Sequence, residues 1–113
     1  MKILIVDDSP RVRRMIRSLV APFSEKIFEC ADGETAVAVY EQYHPDWVLM
    51  DIELGDMDGL TATRKIHRSD PQSKIAIVTA YDDARLREQA KIAGACAYLA
   101  KDDLHLLHAL LTR

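Results

Sequence analysis

Five short apolar runs alternate along the chain with longer segments in which apolar residues recur every three or four positions. The runs occupy residues 3–6, 26–31, 47–50, 75–78 and 95–99, and the second is the weakest. Adjacent apolar residues are typical of strands that a sheet buries on both faces, whereas the longer segments have the periodicity of amphipathic helices. The pattern predicts an α/β domain with five parallel strands, five helices and right-handed crossovers.

Capping and helix-breaking residues define the ends of the predicted helices. Ser9 can cap the first helix and Pro10 suits its first turn, since a proline there loses no hydrogen bond. That helix ends before Pro22, and the next two cover residues 34–43 and 59–67. The fourth runs from the capping pair at 82–83 to residue 93, and the fifth from residue 103 to the C-terminus.

Polar side chains follow four of the predicted strands. They share one position, at the carboxyl end of a strand: Asp7, Asp8, Asp51, Thr79 and Lys101. In an open parallel sheet, ligands bind at this edge. If the first, third, fourth and fifth strands are neighbours, we expect these side chains to converge.

Three carboxylates in one place need a cation. Two like charges about 4 Å apart repel by ~4 kcal/mol at an effective dielectric of about 20, and a single lysine cannot offset three of them. The hard oxygens of Asp7, Asp8 and Asp51 suit Mg²⁺, whose octahedron a backbone carbonyl, waters and a substrate oxygen would complete. Beside the metal, Asp51 can attack phosphorus, while Lys101 and the Thr79 hydroxyl hold the phosphoryl oxygens.

Composition narrows the remaining possibilities. A chain of 113 residues is long enough for one core, so a single domain over residues 1–113 is expected. The net charge of −3 argues against direct nucleic-acid binding. Cys30 and Cys96 lie in apolar segments and are expected to be reduced core thiols. With no leader and no apolar stretch long enough for a membrane span, a cytoplasmic location is expected.

The motifs together resemble the receiver domain of two-component response regulators. They are the acidic pair 7–8, Asp51 with the 57–59 Met-Asp-Gly segment behind it, Thr79 followed by alanine, and the 97–101 segment that ends in Lys101. The resemblance covers essentially the whole chain. It implies a flavodoxin-like, doubly wound parallel sheet with strand order 2-1-3-4-5.

The resemblance also implies residue roles. Asp51 would be the phosphoacceptor, and Lys101 would contact the phosphoryl group. Asp7, Asp8 and Asp51 would hold Mg²⁺ together with the backbone carbonyl of Glu53. The phosphoryl group would come from a sensor histidine kinase or a histidine phosphotransfer protein.

A switch is implied as well. Thr79 and Tyr98 would change the surface formed by the fourth helix, the fifth strand and the fifth helix, where an output domain or a second copy would bind. Such a domain phosphorylates and dephosphorylates itself, and it is a signalling module rather than a turnover enzyme. Neither nucleic acid nor a membrane is an expected direct partner.

Two positions depart from the receiver pattern. Asp102 follows Lys101 where receivers usually have a proline, often after a cis bond. A non-proline cis bond costs ~3 kcal/mol, so either a trans bond with a reshaped loop or a constrained loop is expected. Lysine followed by aspartate resembles receivers joined to helix-turn-helix domains. Gly55 replaces another common proline, which predicts a more mobile loop.

Alternatives remain open at the level of sequence. A small Mg²⁺-dependent phosphohydrolase with an aspartyl nucleophile would also place an acid at a strand end. A receiver-like binding module that is never phosphorylated is the other alternative. The arginines of the first helix form either a solvated face or a docking surface for a histidine-bearing partner.

Leucines dominate the last predicted helix. Leu104, Leu107 and Leu111 share one stripe and are predicted to face the core. Leu106 and Leu110 fall beside that stripe and are predicted to be partly exposed. They belong either to a broadly buried helix or to an apolar patch for a partner or a second copy.

Overall fold

Five parallel strands form one sheet in the computed structural model, which describes residues 1–55 and 57–112. The strands are β1 (Lys2–Val6), β2 (Lys26–Cys30), β3 (Trp47–Met50), β4 (Ile75–Thr79) and β5 (Ala97–Ala100). Their order is β2-β1-β3-β4-β5, and every neighbouring pair is parallel. The flavodoxin-like fold predicted from the sequence is confirmed.

Helices cover both faces of the sheet. They are α1 (Pro10–Val20), α2 (Gly33–Tyr43), α3 (Gly59–Ser69), α4 (Ala84–Ala93) and α5 (Leu107–Leu111). Side-chain oxygens of Ser9, Asp32, Asp58 and Asp83 cap the first four helices, as predicted for Ser9 and for the pair at 82–83. Gly94 ends α4 with a φ of 112°, the left-handed conformation expected there. None of the helices in the described residues is long and apolar enough to cross a membrane.

The core has two layers, one on each face of the sheet. Along β1, Leu4 and Val6 pack on the side of α2 and α3, while Ile3 and Ile5 pack on the side of α1 and α5. All four side chains are at most 1% exposed. Burial on both faces explains why this strand has no polar alternation.

The helical spacing of apolar residues predicts that Met15, Leu19 and Tyr43 face the core, but all three lie at the surface. Met15 and Leu19 of α1 are 43% and 39% exposed, because α1 turns only Ile16 and Val20 fully inward. Tyr43 of α2 is 46% exposed, with its ring stacked on that of Phe28.

Only one of the two cysteines is a core thiol. Cys30 is buried, and burial raises the pKa of its thiol to about 11. Cys96 is exposed, so the prediction of a core thiol was wrong for this residue. It precedes β5, outside the four residues of that strand that pair with β4.

The last helix is shorter than predicted. A 3₁₀ segment, Lys101–Leu106, comes first, and its backbone departs from helical angles at Asp103. Asp103 therefore does not cap the α-helix, which covers only Leu107–Leu111. The bond between Lys101 and Asp102 is trans, so the non-proline residue at this position adopts the ordinary peptide geometry. The predicted end of the helix, Arg113, lies outside the described residues.

The prediction for the leucines is confirmed. Leu104, Leu107 and Leu111 are buried against α1 and the sheet. Leu106 is 45% exposed, and Leu110 is half-buried.

Candidate functional site

Neighbouring strands bring Asp7 and Asp51 together. Val6 at the end of β1 pairs with Met50 at the end of β3, so the next residue of each strand lies at the same edge. The backbone N–H of Asp51 donates to the carbonyl of Val6 at 3.0 Å. Asp7 and Asp51 are 1% and 5% exposed. The sheet thus holds two carboxylates side by side, away from most of the solvent.

Asp8 completes an acidic cluster. One carboxylate oxygen from each of Asp7, Asp8 and Asp51 lies within 4.8 Å of the other two. Asp8 is exposed, which leaves the cluster open on one side. Carboxylate oxygens are the donors that a hard divalent cation prefers, so the residues fit a magnesium site with room for waters.

The electrostatics of Asp51 also favour a cation. Burial and the negative charge of Asp7 raise the pKa of Asp51 to about 6, and the positive charge of Lys101 only partly opposes this rise. A raised carboxylate pKa means that the ionised form is poorly stabilised by its surroundings. Added positive charge at this position would stabilise the ionised carboxylate, which is the nucleophilic form.

Lys101 is the cation that the chain itself supplies. Its Nζ is 2.9 Å from Oδ2 of Asp7 and 3.4 Å from Oδ2 of Asp51. Burial lowers the pKa of Lys101, but its interactions with the two carboxylates outweigh burial, and the net shift is upward. The ammonium therefore stays charged and bridges the two acids.

Thr79 and Tyr98 are joined through the backbone of Tyr81. Thr79, fully buried at the end of β4, accepts a hydrogen bond from the Tyr81 N–H at 3.3 Å. Tyr98 on β5 is partly exposed, and its hydroxyl donates to the carbonyl of Tyr81 at 2.6 Å. The guanidinium of Arg87 lies 4.6 Å from the Tyr98 ring centroid. Tyr98 thus lies outside the acidic cluster but is connected to Thr79.

Glu53 lies two residues beyond Asp51 in the loop after β3. Its backbone N–H donates to Oδ1 of Asp51 at 3.4 Å, while its side chain is exposed. The pKa of Tyr81 is raised by hydrogen bonding and charge from Glu53.

Two residues of this region were missed as functional residues in the sequence. A Cβ on Gly59 would lie 1.9 Å from the carbonyl oxygen of Asp51, so only glycine fits beneath that carbonyl. The Met-Asp-Gly segment contributes to the resemblance, but its spacing alone predicts no such contact. The sequence predicts only a solvated or docking face for Arg13, yet its guanidinium donates to the carbonyl of Asp7 at 2.7 Å. No sequence pattern distinguishes it from its neighbouring arginines.

Comparison with known proteins identifies the family. The family model for the response regulator receiver domain matches residues 3–112. Chemotaxis protein CheY of Bacillus subtilis (strain 168) is 38% identical over 101 residues, which are 88% of this chain and 84% of that protein. The chain spans only 24% and 49% of the length of two other curated regulators that it matches.

Solved structures agree with this result. A LuxR-family two-component response regulator from Aurantimonas sp. SI85-9A1 has a TM-score of 0.86 and 32% identity, with 97% of this chain and 84% of that chain covered. CheY in the CheX-CheY-BeF3-Mg²⁺ complex from Borrelia burgdorferi has a TM-score of 0.85 and 26% identity, with 100% and 90% covered. The chain therefore belongs to the response regulator receiver domain family.

Proposed function

We propose that Asp51 accepts a phosphoryl group in a Mg²⁺-dependent reaction. The observation that carries this proposal is the convergence of three carboxylates and one ammonium around the Asp51 side chain. Asp51 is buried, and its pKa is raised to about 6. A cation beside it would lower that pKa and favour the ionised, nucleophilic carboxylate. Residues 1–113 would act as one receiver domain.

Mg²⁺ would be held by Asp7, Asp8, Asp51 and the backbone carbonyl of Glu53. The donor set supports this assignment, because every donor is a hard oxygen. Asp8 is exposed, which leaves one side of the site open to waters. The related complex from Borrelia burgdorferi contains BeF3 and Mg²⁺, which agrees with a metal site in this family. When bound, the ion would supply positive charge to the carboxylates and to the phosphoryl oxygens.

The protein groups then have distinct tasks in the transfer. A carboxylate oxygen of Asp51 forms a bond to phosphorus while the bond from phosphorus to the donor's imidazole nitrogen breaks, and the imidazole leaves. Lys101 binds a phosphoryl oxygen, since its ammonium already reaches Asp51. The Thr79 hydroxyl turns toward another oxygen and gives up its hydrogen bond with the Tyr81 N–H.

The donor would be a sensor histidine kinase or a histidine phosphotransfer protein. A cytoplasmic location is part of this proposal. Phosphorylation would alter the surface of α4, β5 and α5, to which an output domain or a second copy would bind.

The domain would signal without turning over a substrate, and it would not contact nucleic acid itself. Family membership favours this function over a phosphohydrolase.

Intact-mass spectrometry after incubation with acetyl phosphate tests the proposal. The wild-type chain should gain the mass of one phosphoryl group with Mg²⁺ and none after chelation. Asp51→Asn should gain nothing, whereas Glu53→Gln should be modified like the wild type, because it keeps the backbone carbonyl and removes only a neighbouring exposed charge. Equal modification of Asp51→Asn and the wild type would refute the assignment, and an unmodified wild type would support the non-phosphorylated alternative.

A further inference from the structure

Arg13 connects three elements near the acidic cluster. It lies in the second turn of α1, and its side chain is only 19% exposed. Its Nη1 donates to the backbone carbonyl of Asp7 at 2.7 Å, and its Nε donates to Oε1 of Glu29 at 3.2 Å. Glu29 belongs to β2. One guanidinium therefore links the helix, the edge strand and the turn that carries the acids.

The Asp7 carbonyl is part of the backbone that leads into Asp8. It belongs to the peptide group that joins Asp7 to Asp8, and that group is planar, so fixing the oxygen also fixes the path of the chain into Asp8. The carboxylate of Asp7 is held independently, by the Ser9 N–H at 2.8 Å and by Lys101 at 2.9 Å. Within the described residues, no hydrogen bond orients the Asp8 carboxylate itself. Its position depends on the backbone that Arg13 holds.

Glu29 controls where the Arg13 guanidinium lies. Its two oxygens accept hydrogen bonds from Arg13 and Arg17, at 3.2 Å and 2.9 Å. Without Glu29, a flexible cation one turn into α1 would be drawn toward the carboxylates of Asp7 and Asp8. There it would compete with a metal ion. Glu29 therefore directs Arg13 to the carbonyl and away from the carboxylates.

We propose that Arg13, held by Glu29, is a positioning residue for the magnesium site. It fixes the peptide group between Asp7 and Asp8, so that the Asp8 carboxylate stays beside those of Asp7 and Asp51 before an ion arrives. This inference rests on the proposed function, because it requires that Asp7, Asp8 and Asp51 bind Mg²⁺. It adds a contact to a backbone carbonyl that none of the metal-binding side chains makes.

The sign of one mutational effect separates positioning from charge. Arg13 carries a positive charge close to a cation site, so charge alone predicts that Arg13→Ala binds Mg²⁺ more tightly. Loss of positioning predicts weaker binding, because the ion must then order the turn itself. Mutation of a residue that orients a metal ligand typically lowers metal affinity by about 10–100-fold. Loss of a single contact to the backbone is expected to lie at the lower end of this range.

Isothermal titration calorimetry with MgCl₂ measures this effect. Arg13→Ala should bind Mg²⁺ about tenfold more weakly than the wild type. Arg17→Ala is the matched control, because it removes the same charge and the same Glu29 partner from the same helix but has no hydrogen bond to Asp7. It should bind Mg²⁺ as tightly as the wild type, or slightly more tightly. Thermal unfolding midpoints of the two metal-free variants should be similar.

The outcomes distinguish this inference from the proposed function. Unchanged or tighter binding by Arg13→Ala would overturn the positioning role, as would equal weakening by Arg17→Ala. If Arg13→Ala does not fold, Glu29→Ala can be used instead, because this variant keeps Arg13 but frees the Arg13 guanidinium from Glu29. A Glu29→Ala variant that binds Mg²⁺ as tightly as the wild type would also overturn the inference. A wild-type protein that binds no Mg²⁺ would instead refute the metal site itself.

Discussion

Lys101 lies closer to Asp7 than to Asp51. The distance from its Nζ to Oδ2 is 2.9 Å for Asp7 and 3.4 Å for Asp51. Asp7 is also one of the carboxylates proposed to hold Mg²⁺. The ammonium and a metal ion would therefore share the same carboxylates, and binding of the ion would free Lys101 to contact a phosphoryl group.

Replacing Lys101 should separate metal binding from phosphoryl transfer. Lys101→Ala is expected to bind Mg²⁺ several-fold more tightly, since a competing charge is removed, and to be phosphorylated at least about tenfold more slowly. Calorimetry and intact-mass time courses measure the two effects. Lys91→Ala, which removes an exposed charge from α4, should change neither. Weaker Mg²⁺ binding by Lys101→Ala would contradict the competition.

The raised pKa of Asp51 predicts an unusual dependence of stability on pH. Burial and the charge of Asp7 raise it from 3.8 to about 6, so without metal the folded protein binds more protons than the unfolded chain between these values. Asp51 therefore favours folding most when it is protonated, and stability decreases as the pH rises through about 6. Asp51→Asn should stabilise the metal-free protein by about 1–2 kcal/mol at pH 7, and by much less near pH 4.

Urea denaturation with a chelator present measures this difference. Asp70→Asn is a control of opposite sign, because the hydroxyl of Tyr40 donates to Asp70 at 2.7 Å and lowers its pKa. The ionised Asp70 carboxylate stabilises the folded protein above the ordinary aspartate pKa, and this stabilisation is lost as the pH falls. Asp70→Asn should therefore be less stable than the wild type at pH 7. Adding Mg²⁺ should stabilise the wild type more than Asp51→Asn. A stability gain in Asp51→Asn that is the same at both pH values would refute the assignment.

Gly59 should not tolerate a side chain. A Cβ there would lie 1.9 Å from the carbonyl oxygen of Asp51 and 2.9 Å from Cα of Ile52, and neither backbone atom can move aside without displacing the acidic site. Gly59→Ala is expected to lower the free energy of unfolding by about 1–3 kcal/mol and to weaken Mg²⁺ binding. Chemical denaturation and calorimetry measure these effects.

Gly55 in the same loop is the matched control. A Cβ there meets no atom within 4 Å, and its φ is not positive. Gly55→Ala should be neutral or should stabilise the protein by about 0.5–1 kcal/mol, because alanine restricts the unfolded chain. If Gly59→Ala were equally harmless, the close contact beneath Asp51 would be refuted.

The parts of the molecule that the sequence predicted depend on short-range patterns. The apolar run from Ile3 to Val6 indicates a buried strand, and Ser9 before a proline indicates a helix start. Because both signals involve only neighbouring residues, the strands, the caps and the shared sheet edge could be predicted. Arg13 and Gly59 owe their roles to contacts made only in the folded chain, with Asp7 and Asp51. No periodicity reports such contacts. For the same reason the exposure of Cys96 was missed, since apolar neighbours do not show where a strand begins.

The link through Tyr81 predicts how a phosphoryl group would reach Tyr98. Its N–H donates to Thr79 and its carbonyl accepts from Tyr98, so movement of the Thr79 hydroxyl should disturb both contacts. Beryllofluoride should change amide shifts in the loop after Asp51 and across residues 86–110 of the wild type. In Thr79→Ala the first set should remain, whereas shifts at Tyr98 and beyond should decrease several-fold.

Thr79→Ser is the control for this experiment. It keeps a hydroxyl at the end of β4 and should transmit the change almost as well as the wild type. Spectra recorded by two-dimensional NMR decide the outcome. A full response of Tyr98 in Thr79→Ala would show that the signal travels by another route, and a wild-type response confined to the loop would contradict the proposed switch.

Leu106 provides a test of self-association. It is 45% exposed at the end of the 3₁₀ segment, beside Leu110, and α5 packs against α1. A few exposed apolar side chains give only weak association, so a dimer is expected at high concentration or with beryllofluoride bound. Leu106→Asp should abolish that dimer while changing the free energy of unfolding by less than about 0.5 kcal/mol, as expected at a surface position.

Sedimentation velocity over a range of concentrations measures the association. Leu107→Asp is the contrasting control, because Leu107 is 1% exposed and a buried carboxylate should unfold the domain. Loss of folding in Leu106→Asp would place Leu106 in the core after all. If the wild type is monomeric in every state, Leu106 does not mediate a homodimer. Only a different protein could then cover this exposed leucine.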